Sequence, residues 1–432
     1  MKSLWRKDVE MPSFPTLEGE AKTDVLIIGG GIAGLLTAYF LHERGVPYIL
    51  VEKNRICSGT TQNTTAKITS QHGLIYRKLV KEFGVEKAAM YYRANEEAVA
   101  EYKRFCDDIG CNFEIKDNFV YSVSDRVILE QEMSALSKIG CKAHFFDSLP
   151  LPFNTVGAVS FSGQAQFHPL KFLGAIAKEL NIFEHTFVRE MKGDTAVTDK
   201  ANIRAKNVIV ATHFPFINKH GLYSLKIYQH RSYVLALENA RQTGGMYVDE
   251  SKTGLSFRDY GGLLLIGGGG HRTGKDGGNW TELRNFAAKH YKSSSEVAHW
   301  AAQDCMSLDS VPYVGNYSSN TRRLFVASGF NKWGVTGAMV AARLLCDCVT
   351  DVENDYAQLF APDRNMLRPQ LIMNAVESAV GFVGFTGKRC PHLGCSLKWN
   401  RAEHSWDCPC HGSRFDEHGT VLDNPANGNL KQ

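Results

Sequence analysis

The chain has 432 residues, of which 44% are hydrophobic and 22% charged, and its formal net charge is +4. That length allows two or three domains, each with its own core, and the composition is ordinary for a globular protein. The small charge and the absence of a long Lys/Arg run give nucleic-acid binding little electrostatic support, so no nucleic-acid partner is expected.

The first twenty residues, MKSLWRKDVEMPSFPTLEGE, lack the apolar core of a secretory leader. The most apolar stretch, VLIIGGGIAGLLTAYFL (25–41), is long enough to suggest a membrane span, but three consecutive glycines and Asp24 at its entry argue against one. Seven of the eleven cysteines (Cys57, Cys106, Cys111, Cys141, Cys305, Cys346 and Cys348) are scattered through apolar contexts that suit free buried thiols. That usage fits a reducing, cytoplasmic setting. The other four crowd between positions 390 and 410.

Residues 24–52 form one readable unit. Val25 to Ile28 is a short β-branched run of the kind a buried parallel strand needs, and Gly29, Gly31 and Gly34 follow as G-x-G-x-x-G. Leu35, Leu36, Tyr39 and Phe40 then recur at helical spacing until Gly45, and a second apolar strand, Tyr48 to Val51, ends at Glu52. Gly29 permits the tight turn, Gly31 lets backbone approach a pyrophosphate, and Gly34 lets helix and strand pack closely. The helix amino terminus offers N–H groups to phosphates, and Glu52 is placed to accept hydrogen bonds from a ribose.

A hydroxyl-rich loop, SGTTQNTTAKITS (58–70), comes next, then a strongly amphipathic helix over 85–108. NVIVAT (207–212) reads as a buried strand, and HRSYVLALEN (230–239) with the run through Ile266 suggests a mixed or antiparallel sheet. GLLLIGGGGHRTGKDGG (262–278) contains G-x-x-x-x-G-K, but Asp276 replaces the magnesium-binding Ser/Thr and no helix-forming run is evident directly after it. It reads as a strand and turn. DSVPYVGNYS (309–318) and LFVASGFNKWGVTGAMVAARLL (324–345) close the series with a strand, a Gly-rich turn and a helix.

Over about residues 20–350 these segments resemble the FAD-dependent amino acid oxidase superfamily, the group of glycine and sarcosine oxidases and similar dehydrogenases. The resemblance implies FAD, with Thr60, Thr61, Thr65 and Ala66 around its diphosphate and ribityl chain. It places Val188 at the adenine through its backbone, and Trp333, Gly334 and Thr336 at a helix amino end aimed at the flavin pyrimidine. A helix amino end suits the negative charge that reduced flavin carries. Polar candidates for the substrate side are Gln71, His72, Tyr228, Arg231, His271 and Arg272, an arginine being suited to a substrate carboxylate.

Residues 389–415, RCPHLGCSLKWNRAEHSWDCPCHGSRF, hold four cysteines and three histidines in a span too short for a core of its own. A C-x-H box (Cys390, His392) and a C-x-x-H box (Cys408, His411) are separated by fifteen residues. Such a set suits tetrahedral zinc, but zinc leaves Cys395, Cys410 and both glycines without a role. From Cys390 to Ser413 the stretch resembles the Rieske [2Fe–2S] pattern. The resemblance implies that Cys390 and Cys408 hold one iron, that His392 and His411 hold the other, and that Cys395 and Cys410 pair as a disulfide. It also implies a potential within about −150 to +300 mV, since imidazoles leave the cluster less negative than four thiolates would. Where high-potential members have a tyrosine this chain has Phe415, so the expected value lies below theirs. His404 and His418 fall outside the pattern and are expected to face solvent.

The expected fold class is α/β. A discontinuous FAD-binding Rossmann-like domain (1–75, 150–225 and 300–350) would carry an inserted α+β substrate domain (76–149 and 226–299). A connector (351–384) containing a helix over RPQLIMNAVESAV would lead to a small C-terminal Rieske module (385–432), resting on the body or on a partner subunit. The expected activity is that of a dehydrogenase: hydride passes from a small amine, amino acid or hydroxy substrate to flavin, and electrons go singly through the cluster to an external acceptor. Alternatives are a reductase running the other way, with an external one-electron donor, and a non-catalytic electron-transfer subunit. A homo-oligomer is compatible with all three.

Overall fold

Buried β-branched and aliphatic runs set the frame. The computed structural model describes residues 3–251, 254–383 and 387–430. Strand Gly19–Ile28 lies between Ala201–Val210 and Tyr48–Val51, all three parallel, and its last four residues are fully buried. Leu324–Ser328 and Ile182–Phe183 extend this sheet in parallel on either side, and Tyr313–Asn316 closes one edge antiparallel. Helices Ile32–Glu43 and Gly334–Val349 pack against each other beside the sheet, their small residues (Ala33, Ala38, Ala338, Ala341, Ala342) allowing close approach. A parallel sheet covered by helices is the arrangement expected for these runs.

A second, mixed sheet runs in the order Ser295–Ser307, Ile227–Glu238, Leu263–Arg272, Ser256–Tyr260, Met246–Asp249, Glu114–Ser122, Gly157–Gln166 and Lys67–Ile68. Among the described residues its one parallel pair is Met246–Asp249 with Glu114–Ser122. Strand Gly157–Gln166, which the sequence groups with the cofactor domain, is paired here through Glu114–Ser122. Helix Tyr76–Ile109 is broken at Gly84 (φ 85°), so its regular part starts at Val85 and ends at the left-handed Gly110. A helix does follow the glycine-rich turn after Leu263–Arg272, at Asn279–His290, a feature that turn hid in the sequence.

One expectation about cysteine fails. Cys106 and Cys111, read as free thiols, are disulfide-bonded, with Cα atoms 5.6 Å apart. Gly110 reverses the chain at the helix end and brings the two side chains together, so the cysteine usage is a weaker marker of a reducing compartment than it looks. Among the described residues no helix is long and apolar enough to cross a membrane. Helix Pro369–Val383 leads toward a four-stranded antiparallel sheet, Lys398–Asn400, Ser405–Asp407, Arg414–Phe415 and Val421–Asp423. Residues 384–386, where the expected connector meets the module, lie outside the described residues.

Candidate functional site: a nucleotide cavity walled by a cluster module

The first turn has the close approach that its glycines imply. A Cβ on Gly34 would lie 1.9 Å from the Gly29 carbonyl oxygen, and one on Gly29 (φ 114°) would lie 2.5 Å from that of Ala211. Helix Ile32–Glu43 starts at Gly31 without a side-chain cap, and the Ile32 N–H donates to Thr61 Oγ1 at 3.0 Å. Glu52 accepts from the Gly30 N–H at 2.8 Å and the Asn54 N–H at 2.9 Å. Burial raises its carboxyl pKa, and those two bonds oppose the rise.

A cavity of about 770 Å³ opens from this turn. Gly29, Gly31, Glu52, Thr60, Thr61, Thr65, Val188, Trp333 and Gly334 all line it. Ala66 and Thr336 are buried behind that wall. Ala66 is left-handed (φ 56°) and its carbonyl accepts from Arg258 Nη1 at 2.8 Å, while Thr336 Oγ1 donates to the Thr69 carbonyl at 3.0 Å.

The substrate-side candidates separate into two groups. Gln71 donates to the Val159 carbonyl and accepts from Asn118, each at 2.8 Å, and so braces the wall. His72 stacks on Trp333 (5.0 Å, 14°) and bonds Tyr91 and Thr336, and burial holds it neutral with a pKa near 3. Of the other four, Arg231 and Arg272 bond the C-terminal segment directly, His271 reaches it through Tyr233, and Tyr228 lines the cavity. Arg231 forms a two-armed ion pair with Glu403, both side chains being at most 5% exposed, so its guanidinium is not available to a substrate carboxylate. His271 bonds Tyr233, which donates to Glu403 at 3.0 Å. Arg272 donates to Asn374 at 2.9 Å and lies over the ring of Tyr228, which lines the cavity.

Lys67 went unnoticed in the sequence, although it is the one cation in SGTTQNTTAKITS. It lines the cavity, its Nζ donates to the Tyr247 carbonyl at 3.3 Å, and burial followed by the nearby Arg258 charge lowers its pKa to about 7.

The two cysteine–histidine boxes fold alike. Gly394 N–H donates to the Cys390 carbonyl at 2.8 Å and Gly412 N–H to that of Cys408 at 2.9 Å, with φ 82° and 83° at the two glycines. Cys395 and Cys410 are disulfide-bonded across the loops. The sulfurs of Cys395, Cys408 and Cys410 lie within 4.8 Å of one another, but the disulfide takes two of them and leaves Cys408 as the one thiol of the three able to bind a metal. Cys390 and Cys408 share a hydrogen bond that lowers the first thiol to about 7 and raises the second, so together they hold their protons unequally.

The imidazoles of His392 and His411 are 5.0 Å apart, and both Nδ1 atoms are buried without a hydrogen-bond partner. Burial keeps both rings neutral, near 4 and 3. The body orients them: His392 Nε2 lies 2.9 Å from Asn218 Oδ1, and the Ser224 main chain bonds His411. Two facing thiols and two unpartnered Nδ1 atoms are the donor set a [2Fe–2S] cluster needs, with outer partners that fix the tautomer.

The module is docked on the body, not detached. Gln229 Nε2 donates to the His411 carbonyl (2.9 Å) and Gln303 Nε2 to that of Gly412 (2.8 Å). Asn424 Nδ2 donates to the Phe214 carbonyl at 2.8 Å, and the ring of Phe214 lies 6.3 and 6.4 Å from those of His392 and His411. Glu403, Arg414, Asp423 and Asn424 of the module also line the nucleotide cavity, so one cavity has walls from both parts.

Residues 24–348 match the family described as FAD dependent oxidoreductase (DAO). The chain belongs to that family. Residues 372–432 match the Rieske [2Fe-2S] domain, so this is an FAD-dependent oxidoreductase with a C-terminal iron–sulfur domain. YhfW of Bacillus subtilis (strain 168), provisionally described as a Rieske 2Fe-2S iron-sulfur protein, is 34% identical over 493 residues, covering 100% of this chain and 97% of its own. Cytochrome b6-f complex iron-sulfur subunit 2 of Trichormus variabilis is 52% identical over 42 residues, 10% of this chain and 24% of its own. The fold is similar to that of glycine oxidase from Geobacillus kaustophilus (TM-score 0.68, 19% identity, 80% of this chain and 100% of that one). It is also similar to that of L-amino acid deaminase from Proteus vulgaris (TM-score 0.66, 16% identity, 84% and 98%). The glycine cradle and the unpartnered histidine nitrogens fit FAD and [2Fe–2S], the cofactors of these two families.

Proposed function

We propose that the protein is a dehydrogenase for a small amine, amino acid or hydroxy compound, in which electrons leave the flavin one at a time through the C-terminal cluster. When bound, FAD supplies a hydride acceptor and the cluster a one-electron carrier. The shared wall carries the reading: the segment from Ala211 to Phe216 borders the nucleotide cavity, and Phe214 within it lies beside both cluster histidines.

The remaining roles fall to the chain's own groups. The Gly31 turn and the amino end of helix Ile32–Glu43 bind diphosphate, Glu52 binds ribose, and Trp333, backed by His72, forms the far wall. Cys390, His392, Cys408 and His411 hold the cluster, with the Cys395–Cys410 disulfide fixing their loops. Lys67, whose pKa is lowered to about 7 so that a large share of its amine is neutral there, accepts the proton that a substrate ammonium or hydroxyl gives up before its C–H bond breaks. The cavity-lining guanidiniums of Arg231 and Arg414 are both paired with acids, so a substrate carboxylate is met by another group. The names of the structural neighbours make amino acids the first class to try.

The test is an anaerobic screen of amines, amino acids and hydroxy acids that follows flavin bleaching and the cluster signal together. A compound that bleaches the flavin and then reduces the cluster supports the reading. Flavin bleached by substrate while the cluster stays oxidised defeats it.

A further inference from the structure

Helix Pro369–Val383 is turned inside out. Its inward residues are polar or small: Asn374 bonds Arg272 and the Leu225 carbonyl, and Ser378 and Gly381 sit against Cys410. Its outward residues are aliphatic. Ile372, Met373, Val376, Val380 and Val383 are all more than half exposed, reaching 69% at Val383, and Leu367 just before the helix is 81% exposed. Ala375 and Ala379 complete that face, and among the described residues no charge interrupts it. A water-facing helix normally shows the opposite pattern, and an apolar face of this size marks an interaction surface.

Two more exposed leucines lie on neighbouring segments: Leu222 precedes the short helix Tyr223–Lys226, whose Leu225 carbonyl accepts from Asn374, and Leu393 follows His392 in the first cluster loop. At its carboxy end the helix meets that loop, where Arg389 bonds the Phe382 and Gly394 carbonyls. Exposed basic groups border that end. Arg389 bonds the Phe382 carbonyl, Lys388 precedes it, and Lys219 adjoins Asn218, the partner of His392. The helix's own acid, Glu377, is paired with Lys275 at 2.7 Å, and Arg368 with Glu82 at 3.0 Å, while Asp363 is an exposed acid before the helix.

We propose that this face is a monotopic membrane-docking surface, seating the cluster end of the protein on an anionic lipid bilayer. A fifteen-residue helix, about 22 Å long, is too short to span a bilayer but lies readily in its interface. Basic groups at its border are attracted to anionic headgroups.

The test is flotation of the full-length protein, with flavin and cluster bound, on phosphatidylcholine vesicles with and without phosphatidylglycerol. Wild type is expected to float with the anionic vesicles and to bind the neutral ones about tenfold less. I372E/V376E is expected to stay at the bottom with both chromophores and its melting temperature unchanged. Lys219→Glu, away from the helix, should weaken only the anionic binding and stands as an independent check. Wild type that floats with neither vesicle, or I372E/V376E that floats like wild type, overturns the proposal. So does a dimer in light scattering that I372E/V376E dissociates, with no flotation, since that assigns the face to a second copy.

Discussion

Replacing Glu403 by Gln tests the docking of the module on the cavity. Glu403 accepts from Arg231 on the body, from Arg414 at 2.8 Å within the module, and from Tyr233 at 3.0 Å, all of them buried. Arg414 keeps Asp407 and Asp423, each at 3.0 Å, so the loss of charge falls mainly on Arg231. Removing one partner of a buried ion pair costs about 3–5 kcal/mol, which is roughly 10²- to 4 × 10³-fold in the ratio of docked to undocked module. Burial by itself would raise the Glu403 carboxyl pKa, but Arg231 and Arg414 outweigh it and lower it. A carboxyl lowered on folding contributes stability above its unfolded pKa and loses it as pH falls through the folded one. Docking should therefore hold at neutral pH and fail only in acid, below about pH 4.5. The assay is flash photoreduction of the flavin, with cluster reduction followed optically and by EPR. The variant should keep both chromophores but reduce its cluster far more slowly, while Glu417→Gln, on the exposed surface, should match wild type. An unchanged rate in Glu403→Gln refutes the docking argument.

Three further outcomes follow. Lys67→Met should slow substrate-driven flavin reduction about 10²- to 10⁴-fold, and should remove a limb of the rate profile that rises through about pH 7, because only the neutral amine below which protonation intervenes can take a proton; stopped-flow kinetics across pH reads both. Phe415 is packed with the module's four cysteines, and Phe415→Tyr should raise the cluster midpoint by roughly 65–130 mV through a new hydrogen bond of about 1.5–3 kcal/mol to a charged acceptor, measured by EPR-monitored redox titration. Gly34→Ala places a methyl 1.9 Å from the Gly29 oxygen, so the purified variant should lose bound flavin while the cluster spectrum persists.

Local segments were readable in the sequence. The strand ending at Ile28, the glycine turn and the strand Tyr48–Val51 are set by residues within thirty positions of one another, and each cluster loop is closed by its own glycine. Contacts distant in sequence were hidden. Arg231 and Glu403 are 172 positions apart, and only the folded chain shows that a presumed substrate arginine holds the module in place. Nothing in the spacing of Cys106 and Cys111 separates a disulfide from two buried thiols, because the left-handed turn at Gly110 decides it. Lys67 carried a visible signal, a lone cation among hydroxyls, but its meaning depends on the burial that lowers its pKa.

In the proposed function, flavin and cluster exchange electrons within one chain. Flash reduction of the flavin over a hundredfold range of protein concentration tests it most directly. Cluster reduction is expected to be first order, with a rate that does not vary with concentration. A rate proportional to concentration would show that electrons pass only between molecules and would contradict it.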